Sequence, residues 1–231
     1  MTTKRPRLLD LFCGAGGAST GYHRAGFDVV GVDINPQPRY PFEFHQADAM
    51  TYPLEGFDAY AASPPCQGYS AMRHAPGTRG APMLIGAVRL RFVKAAATSC
   101  NDPPWCVENV EEARNYMASD AIMLCGSMFD LGAQGCRLQR HRLFECSFPI
   151  VQPEHDHDIR VPVVGVYGGH ARRRSAAAGG RGTRDVWEGG HLAAASQAMG
   201  VGWMTLAELS EAIPPAYTEY VGHAMMKAVL Q

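Results

Sequence analysis

The 231-residue chain is notable first for what it lacks. It has no run of 18 or more apolar residues, so no segment reads as a membrane-spanning helix. It carries almost no net charge, −1 at pH 7, and so has no overall basic signature of a nucleic-acid binder. None of its seven cysteines (Cys13, Cys66, Cys100, Cys106, Cys125, Cys136, Cys146) is spaced as Cys-x-x-Cys, and zinc-ribbon spacing is absent. It has no internal repeats. The basic start, Met1 to Arg7, runs into Leu8-Leu9-Asp10-Leu11-Phe12, which is too short and too acidic for a secretion signal. Reduced thiols and a cytosolic location are therefore expected.

About 46% hydrophobic and 19% charged residues fit an ordinary globular protein with one substantial core, or a core plus a small lobe. Charge is unevenly placed. Arg137, Arg140 and Arg142 form one cluster; Arg172, Arg173, Arg174, Arg181 and Arg184 form another. Local patches of this kind matter more for phosphate contact than net charge does. The run His155-Asp156-His157-Asp158 reads as a polar surface loop, and no metal is expected.

Short apolar strands alternate with helices along the first two thirds. Strands are predicted at 8–12, 28–33, 57–62, 105–110 and 142–148, with a third strand before Asp48. Helices are predicted at 18–25, at 83–98 and from Glu111. This order predicts an α/β fold with a doubly wound, mostly parallel sheet. After Pro149 a short strand (161–167) leads into a Gly/Ala/Arg-rich stretch, 168–190, that reads as a flexible loop. Helical patterning returns at 192–199, 205–211 (Thr205 with Glu208 as a capping box) and 215–230. The layout is a catalytic domain at 1–149, a small irregular insertion lobe at 150–193, and a helical return at 194–231.

Two constellations carry chemistry. Gly14-Ala15-Gly16-Gly17 between a strand and a helix makes a nucleotide-type turn, where backbone N–H groups are free and a ligand can approach closely. Ser19 stands where a dinucleotide fingerprint has its third Gly. Asp33 ends the second strand about 20 residues on, where an acid can accept bonds from ribose hydroxyls. Asp48 follows the third strand, in reach of an adenine amino group. Separately, Ser63-Pro64-Pro65-Cys66-Gln67 places a cysteine on a loop stiffened by two prolines, at the same end of the sheet. Glu108-Asn109-Val110 ends another strand, so Glu108 is expected to face Cys66 and to titrate high enough to donate a proton.

Taken in order, Phe12-Cys13-Gly14-Ala15-Gly16-Gly17, Pro64-Pro65-Cys66-Gln67-Gly68-Tyr69-Ser70, Glu108-Asn109-Val110 and Arg140-His141-Arg142 resemble the motifs of DNA cytosine-5 methyltransferases. The resemblance implies a Rossmann-like class I methyltransferase fold. It also implies S-adenosylmethionine as methyl donor, DNA as partner, a cytosine flipped out of the duplex and a monomeric enzyme. It implies Cys66 as covalent nucleophile, Glu108 at the ring N3 and amine, and Arg140 and Arg142 beside the base. Phe12, Gly14, Gly16, Gly17, Asp33, Ile34, Asp48 and Pro65 would line the cofactor site. The segment Tyr217 to Ala224 resembles the family's last motif, which adds His223 and Ala224. Three positions depart from the family pattern: Leu138 where Gln is usual, Asp33 for Glu, and His223 for Asn. The insertion is also short, about 44 residues, implying a short or relaxed recognition site.

Other readings stay on the table. A tRNA cytosine-5 methyltransferase shares the motifs. An inactive DNA-binding relative is disfavoured by the retained Cys66, Glu108 and both arginines. A nicotinamide-dependent oxidoreductase shares the sheet type, but the glycine pattern and the Pro-Pro-Cys-Gln loop speak against it. Protective modification, phage genome modification and regulation are equally compatible with the sequence.

Overall fold

Short apolar segments at the predicted positions form the central sheet of the computed structural model, which describes residues 4–70, 80–177, 180, 182–184 and 186–231. Met1 to Thr3 and Arg181, invoked above, lie outside the described residues. The strands are β1 Arg7–Leu11, β2 Asp28–Asp33, β3 Glu43–Gln46, β4 Ala59–Ala62, β5 Trp105–Val110, β6 Ile122–Leu124, β7 Gly132–Ala133, β8 Cys136–Leu138, β9 Arg142–Cys146, β10 Val163–Tyr167 and β11 His170–Arg174. The helices are α1 Gly17–Arg24, α2 Ile85–Thr98, α3 Gly190–Met199, α4 Leu206–Glu211 and α5 Pro215–Val229.

The main sheet has the order β3-β2-β1-β4-β5-β9-β6. All neighbours from β3 to β5 are parallel; β9 is antiparallel to both β5 and β6. The fold is thus α/β with a mostly parallel central sheet. Strand alternation splits the core into two faces. Leu9, Leu11, Val30, Val32, Tyr60, Ala62, Trp105 and Val107 pack on one side with Ile85, Val88 and Phe92 of α2. Leu8, Val29, Ala59, Ala61 and Cys106 pack on the other with Tyr22 of α1 and Tyr217, Val221 and Met225 of α5. The same alternation puts Asp10 and Glu108 on the α1/α5 face.

The stretch after Pro149 is more ordered than its composition suggests. His170–Arg174 is not loop: it pairs antiparallel with β10 as the edge of a second sheet, β11-β10-β8-β7. An edge strand tolerates consecutive arginines because one side faces water. This sheet draws β7 and β8 from before residue 150 and packs on α3 and α4 through Leu138, Val164, Val166, Ala171, Ala198, Met199 and Leu209. The helix expected from Glu111 is a 3-10 turn, Glu111–Tyr116. Thr205 does cap α4, its hydroxyl accepting from the Glu208 N–H while Glu208 accepts from the Thr205 N–H. Among the described residues no helix is long and apolar enough to cross a membrane.

Helix α1 (GASTGYHR) has poor intrinsic helix propensity, so it depends on packing. Its glycines let α5 and the segment before it come unusually close. A side chain at Gly17 would meet the Ile213 carbonyl, and one at Gly21 would strike Thr218 and the Pro215 carbonyl. The Thr218 hydroxyl, fully buried, donates to the Ala18 carbonyl at 2.8 Å. Gly21→Val is expected to destabilise the fold by about 3 kcal/mol or more through overpacking, measured by urea unfolding; a loss below about 1 kcal/mol would show that the helix pair can separate freely.

Candidate active site

The chain runs β1, β2, β3 outward in one direction and returns to β4 on the other side of β1. A crevice opens where such a sheet reverses, at the carboxyl ends of the strands. One wall is the turn after β1, the other the loop after β4. The register keeps these ends level: Leu11 lies beside Ala62, and Ala62 beside Val107. One residue further on, Ser63 and Glu108 are neighbours, and the Ser63 side chain is hydrogen-bonded to the Glu108 carboxyl.

Cys66 is half-buried in the loop, where its carbonyl accepts from the Tyr69 and Ser70 N–H groups at 3.0 Å. Burial pushes its thiol up, the Arg142 guanidinium pulls it down, and the nearby Glu108 carboxylate raises it. Glu108 is 6% exposed, and Arg142 Nε lies 3.2 Å from its Oε1. Burial holds the Glu108 carboxyl above the ordinary range despite Arg142 and Ser63. A thiol, a buried acid and a guanidinium therefore lie close enough to act on one another. Asn109, behind Glu108, donates to the Pro64 carbonyl at 2.9 Å and ties the cysteine loop to β5. Its position after the acid at a strand end was the available signal, but sequence alone does not reveal which backbone it would hold.

The glycine turn sits beside this group. Phe12 leaves β1 in the left-handed region (φ 59°), a costly conformation for a bulky residue, and Gly14 and Gly16 follow with φ 49° and 87°. The Asp33 carboxylate accepts from Gly14 N–H (3.1 Å) and Asn35 N–H (2.9 Å). No side chain caps α1, its first turn has no acid, and a Cβ placed on Gly14 would meet nothing within 4 Å. An uncapped helix start next to open space at Gly14, with a carboxylate at the rim, suits a charged nucleoside derivative. Ile34, 65% exposed, follows Asp33, and its carbonyl accepts from Gln46 of β3 at 3.1 Å. Asp48 is exposed beyond β3, accepting from the Met50 N–H at 2.8 Å. Pro65 precedes the cysteine, half-buried. Trp203, not foreseen, closes the turn from the second lobe by donating from Nε1 to the Ala15 carbonyl at 3.2 Å.

Two groups of expected site residues are placed differently. Gly222 packs on Ala25 and Tyr22, toward the carboxyl end of α1, whereas Ala212 and Ile213 lie against Gly17. His223 and Ala224 are therefore at the far end of the helix pair from the glycine turn, and the segment that reaches the turn is the one before α5. Arg140 is buried, but its Nη atoms donate to the carbonyls of Val166 (2.8 Å), Ser210 (2.7 Å) and Ala212 (2.8 Å), and its own carbonyl accepts from Tyr217. It clamps the lobes together rather than presenting its guanidinium to a base. Burial and Arg142 lower it to about 9.

Beneath the turn, Asp10 is sealed on the α1/α5 face and accepts from Ser19 at 2.5 Å; Ser19 in turn accepts from Tyr40 at 2.8 Å. Burial pushes Asp10 up to about 7.

The Asp10 shift sets a sign. A raised folded-state pKa favours folding fully below the unfolded value near 3.8 and loses that contribution as pH rises through about 7. Relative to Asp10→Asn, the native chain should lose up to about 4 kcal/mol between pH 4 and pH 8, read from parallel denaturant titrations; parallel curves for the two proteins would contradict the assignment. For Cys66, alkylation by iodoacetamide mapped by peptide mass spectrometry should follow the thiolate. Arg142→Met should move the pH profile up by about 0.5–1 pH unit and Glu108→Gln should move it down; movement in the same direction for both would mean that the two charges do not act on the sulfur.

No family model and no curated protein matches the chain. Solved structures do. A protein described as a DNA modification methyltransferase encoded in an E. coli prophage superposes with a TM-score of 0.56 at 15% identity, over 98% of this chain and 100% of that one. The S. pombe Dnmt2 methyltransferase gives 0.56 at 13% identity, over 97% and 99%. The Entamoeba histolytica methyltransferase EhMeth gives 0.58 at 11%, over 99% and 98%. The chain has the fold of these methyltransferases along nearly its whole length.

Proposed function

We propose that this chain transfers a methyl group from S-adenosylmethionine to carbon 5 of a flipped-out cytosine in DNA, through a covalent adduct with Cys66. The observation that carries the reading is the meeting of Cys66, Glu108 and Arg142 beside the glycine turn, at the β1/β4 reversal. The prophage protein that shares the fold is described as modifying DNA, which supports the choice of polymer. The target atom of cytosine is inaccessible in a stacked duplex, so the base must leave it.

The residues around the turn fit the donor. Gly14, Gly16 and Gly17 would take its amino-acid end at the N-terminus of α1, Asp33 its ribose, and Ile34 and Asp48 its adenine, with Phe12 and Pro65 closing the sides. When bound, S-adenosylmethionine supplies an electrophilic methyl. The protein's task is to make carbon 5 nucleophilic. The Cys66 thiol gives up its proton and its sulfur bonds to carbon 6; the displaced π electrons reach N3, where Glu108 delivers its proton. Carbon 5 now has enamine character and accepts the methyl. Glu108 recovers its proton from N3, water takes the carbon 5 proton, and expulsion of the Cys66 sulfur as thiolate restores the double bond. Arg142 supports the thiolate and holds Glu108 in line. Arg172, Arg173 and Arg174 on the edge of the second sheet supply phosphate contacts, which position the polymer without reading it. With an insertion of only about 44 residues, the recognition site is short or relaxed.

Incubation with duplex DNA containing 5-fluorocytosine and S-adenosylmethionine should trap a covalent complex at Cys66. Cys66→Ser should form none, and Glu108→Gln should slow methylation of ordinary DNA by about 10²–10⁴-fold. Trapping on tRNA but not DNA would replace the polymer; trapping on neither would remove the activity; strict methylation of one site of about six base pairs would refute relaxed reading.

A further inference from the structure

Cys125, His141, His155 and His157 take no part in the chemistry above and are scattered in sequence. Yet each offers one donor atom, and the four atoms lie within 4.8 Å of one another. Sheet register explains half of the cluster. β6 and β9 pair Leu124 with Arg142, which sets Cys125 against His141 one residue beyond. β5 and β9 pair Val110 with Arg142, which brings Glu111 to the other side of His141. The connection from β9 to β10 supplies the remaining two: His155 Nε2 is 2.8 Å from His157 Nε2, and His157 Nε2 is 3.3 Å from Cys125 Sγ.

The polarity of the cluster points to a cation. Glu111 Oε2 holds His141 Nδ1 at 2.7 Å, which makes Nδ1 a donor and turns Nε2 inward. That Nε2 is buried and has no hydrogen-bond partner. A carboxylate behind an imidazole is the usual way a metal-binding histidine is oriented. His155 and His157 can share a single proton, and His157 also faces the Cys125 sulfur, while His141 Nε2 points at the same spot with no partner. A positive ion at the centre satisfies all four donors. With metal–nitrogen bonds of about 2.0 Å and metal–sulfur bonds of about 2.3 Å, a tetrahedral ion separates its ligands by about 3.4–3.6 Å, and the 2.8–4.8 Å spread here brackets that value.

We infer that Cys125, His141, His155 and His157 form a structural binding site for one zinc ion. One thiolate and three imidazoles suit a borderline-soft ion without geometric preference of its own, and four protein ligands leave no position open for catalysis. The ion would join the end of β6, the start of β9 and the connection to the second sheet. Since His141 lies between Arg140 and Arg142, it would fix the segment that holds both the lobe clamp and the partner of Glu108. The polar-loop reading of 155–158 did not see this because the two other ligands come from the ends of β6 and β9 rather than from nearby sequence.

The test is independent of methyl transfer. The full chain, purified from zinc-supplemented culture, should retain about one zinc per molecule by elemental analysis and bind it with a Kd of about 10⁻⁷ M or tighter against a chromogenic chelator. Cobalt substitution should give the visible bands of a tetrahedral, thiolate-ligated ion. Cys125→Ser should lose the thiolate-to-cobalt charge-transfer band, and His155→Ala should weaken zinc binding by about 100-fold or more. His155 is exposed, so its replacement leaves the core untouched and separates metal loss from misfolding. Absence of zinc and of any cobalt spectrum in the native chain would overturn the site. So would stoichiometric zinc with an unaltered cobalt spectrum in both variants.

Discussion

Glu108 must be kept out of water and beside Arg142 at once, and much of the surrounding structure follows from that requirement. A buried ion pair gains Coulomb energy but loses hydration, and the loss can exceed the gain by several kcal/mol. Here the pair is retained with the carboxyl raised and close to a thiol, as a proton donor needs to be. The direction of β9 makes this possible. Antiparallel pairing puts the first residue of β9, Arg142, against the last residue of β5, Val110. A parallel strand in the same place would deliver its first residue to the opposite end of β5. The one reversed neighbour of β5 thus brings a cation to the end where the parallel strands leave their acid and their cysteine loop.

The second lobe is bound into the same arrangement. Arg140 spends its guanidinium on carbonyls of β10 and of the α4–α5 junction, and Trp203 holds the glycine turn. Buried backbone carbonyls need donors, and a single arginine meeting three of them is an economical cross-link. Burial and Arg142 lower Arg140 to about 9, which leaves it charged at neutral pH, and the three carbonyls together with the nearby Glu108 offset that charge. The lobe is therefore tied to the sheet that carries the crevice at a residue two positions from Arg142.

Sequence reading succeeded where chemistry is local. A strand followed by glycines, two prolines before a cysteine, an acid ending a strand and Thr205 with Glu208 all announce their geometry within a few residues. It failed where placement depends on distant partners. The arginines of β11 look like loop until β10 is known to lie beside them. β7 and β8, two and three residues long, carry too little pattern to be seen alone. His223 was expected at the cofactor because of its motif, but where α5 meets α1 is decided by Gly17, Gly21 and Gly222, which set how far the helices slide along each other. The cysteine–histidine cluster was invisible for the same reason, since two of its members meet only through the register of β6 and β9.

Three consecutive residues make three separate contacts: Arg140 reaches the lobe, His141 the cluster beside Glu111, and Arg142 the acid of the site. Successive side chains at the entry to a strand alternate in direction, so adjacent residues can serve separate structures without competing for space. The cost is mechanical coupling. Any displacement of the second sheet that pulls on Arg140 is carried through two peptide units to Arg142, and from there to the carboxyl whose proton the proposed reaction uses. A fixed point between them, at His141, would confine such displacement to the lobe side. Packed strands on either side of β9 already resist it, whereas the segment from 139 to 141 lies outside the strand ladder and is held by side-chain contacts of Arg140, Tyr217 and Glu111. An anchor is most effective at that position.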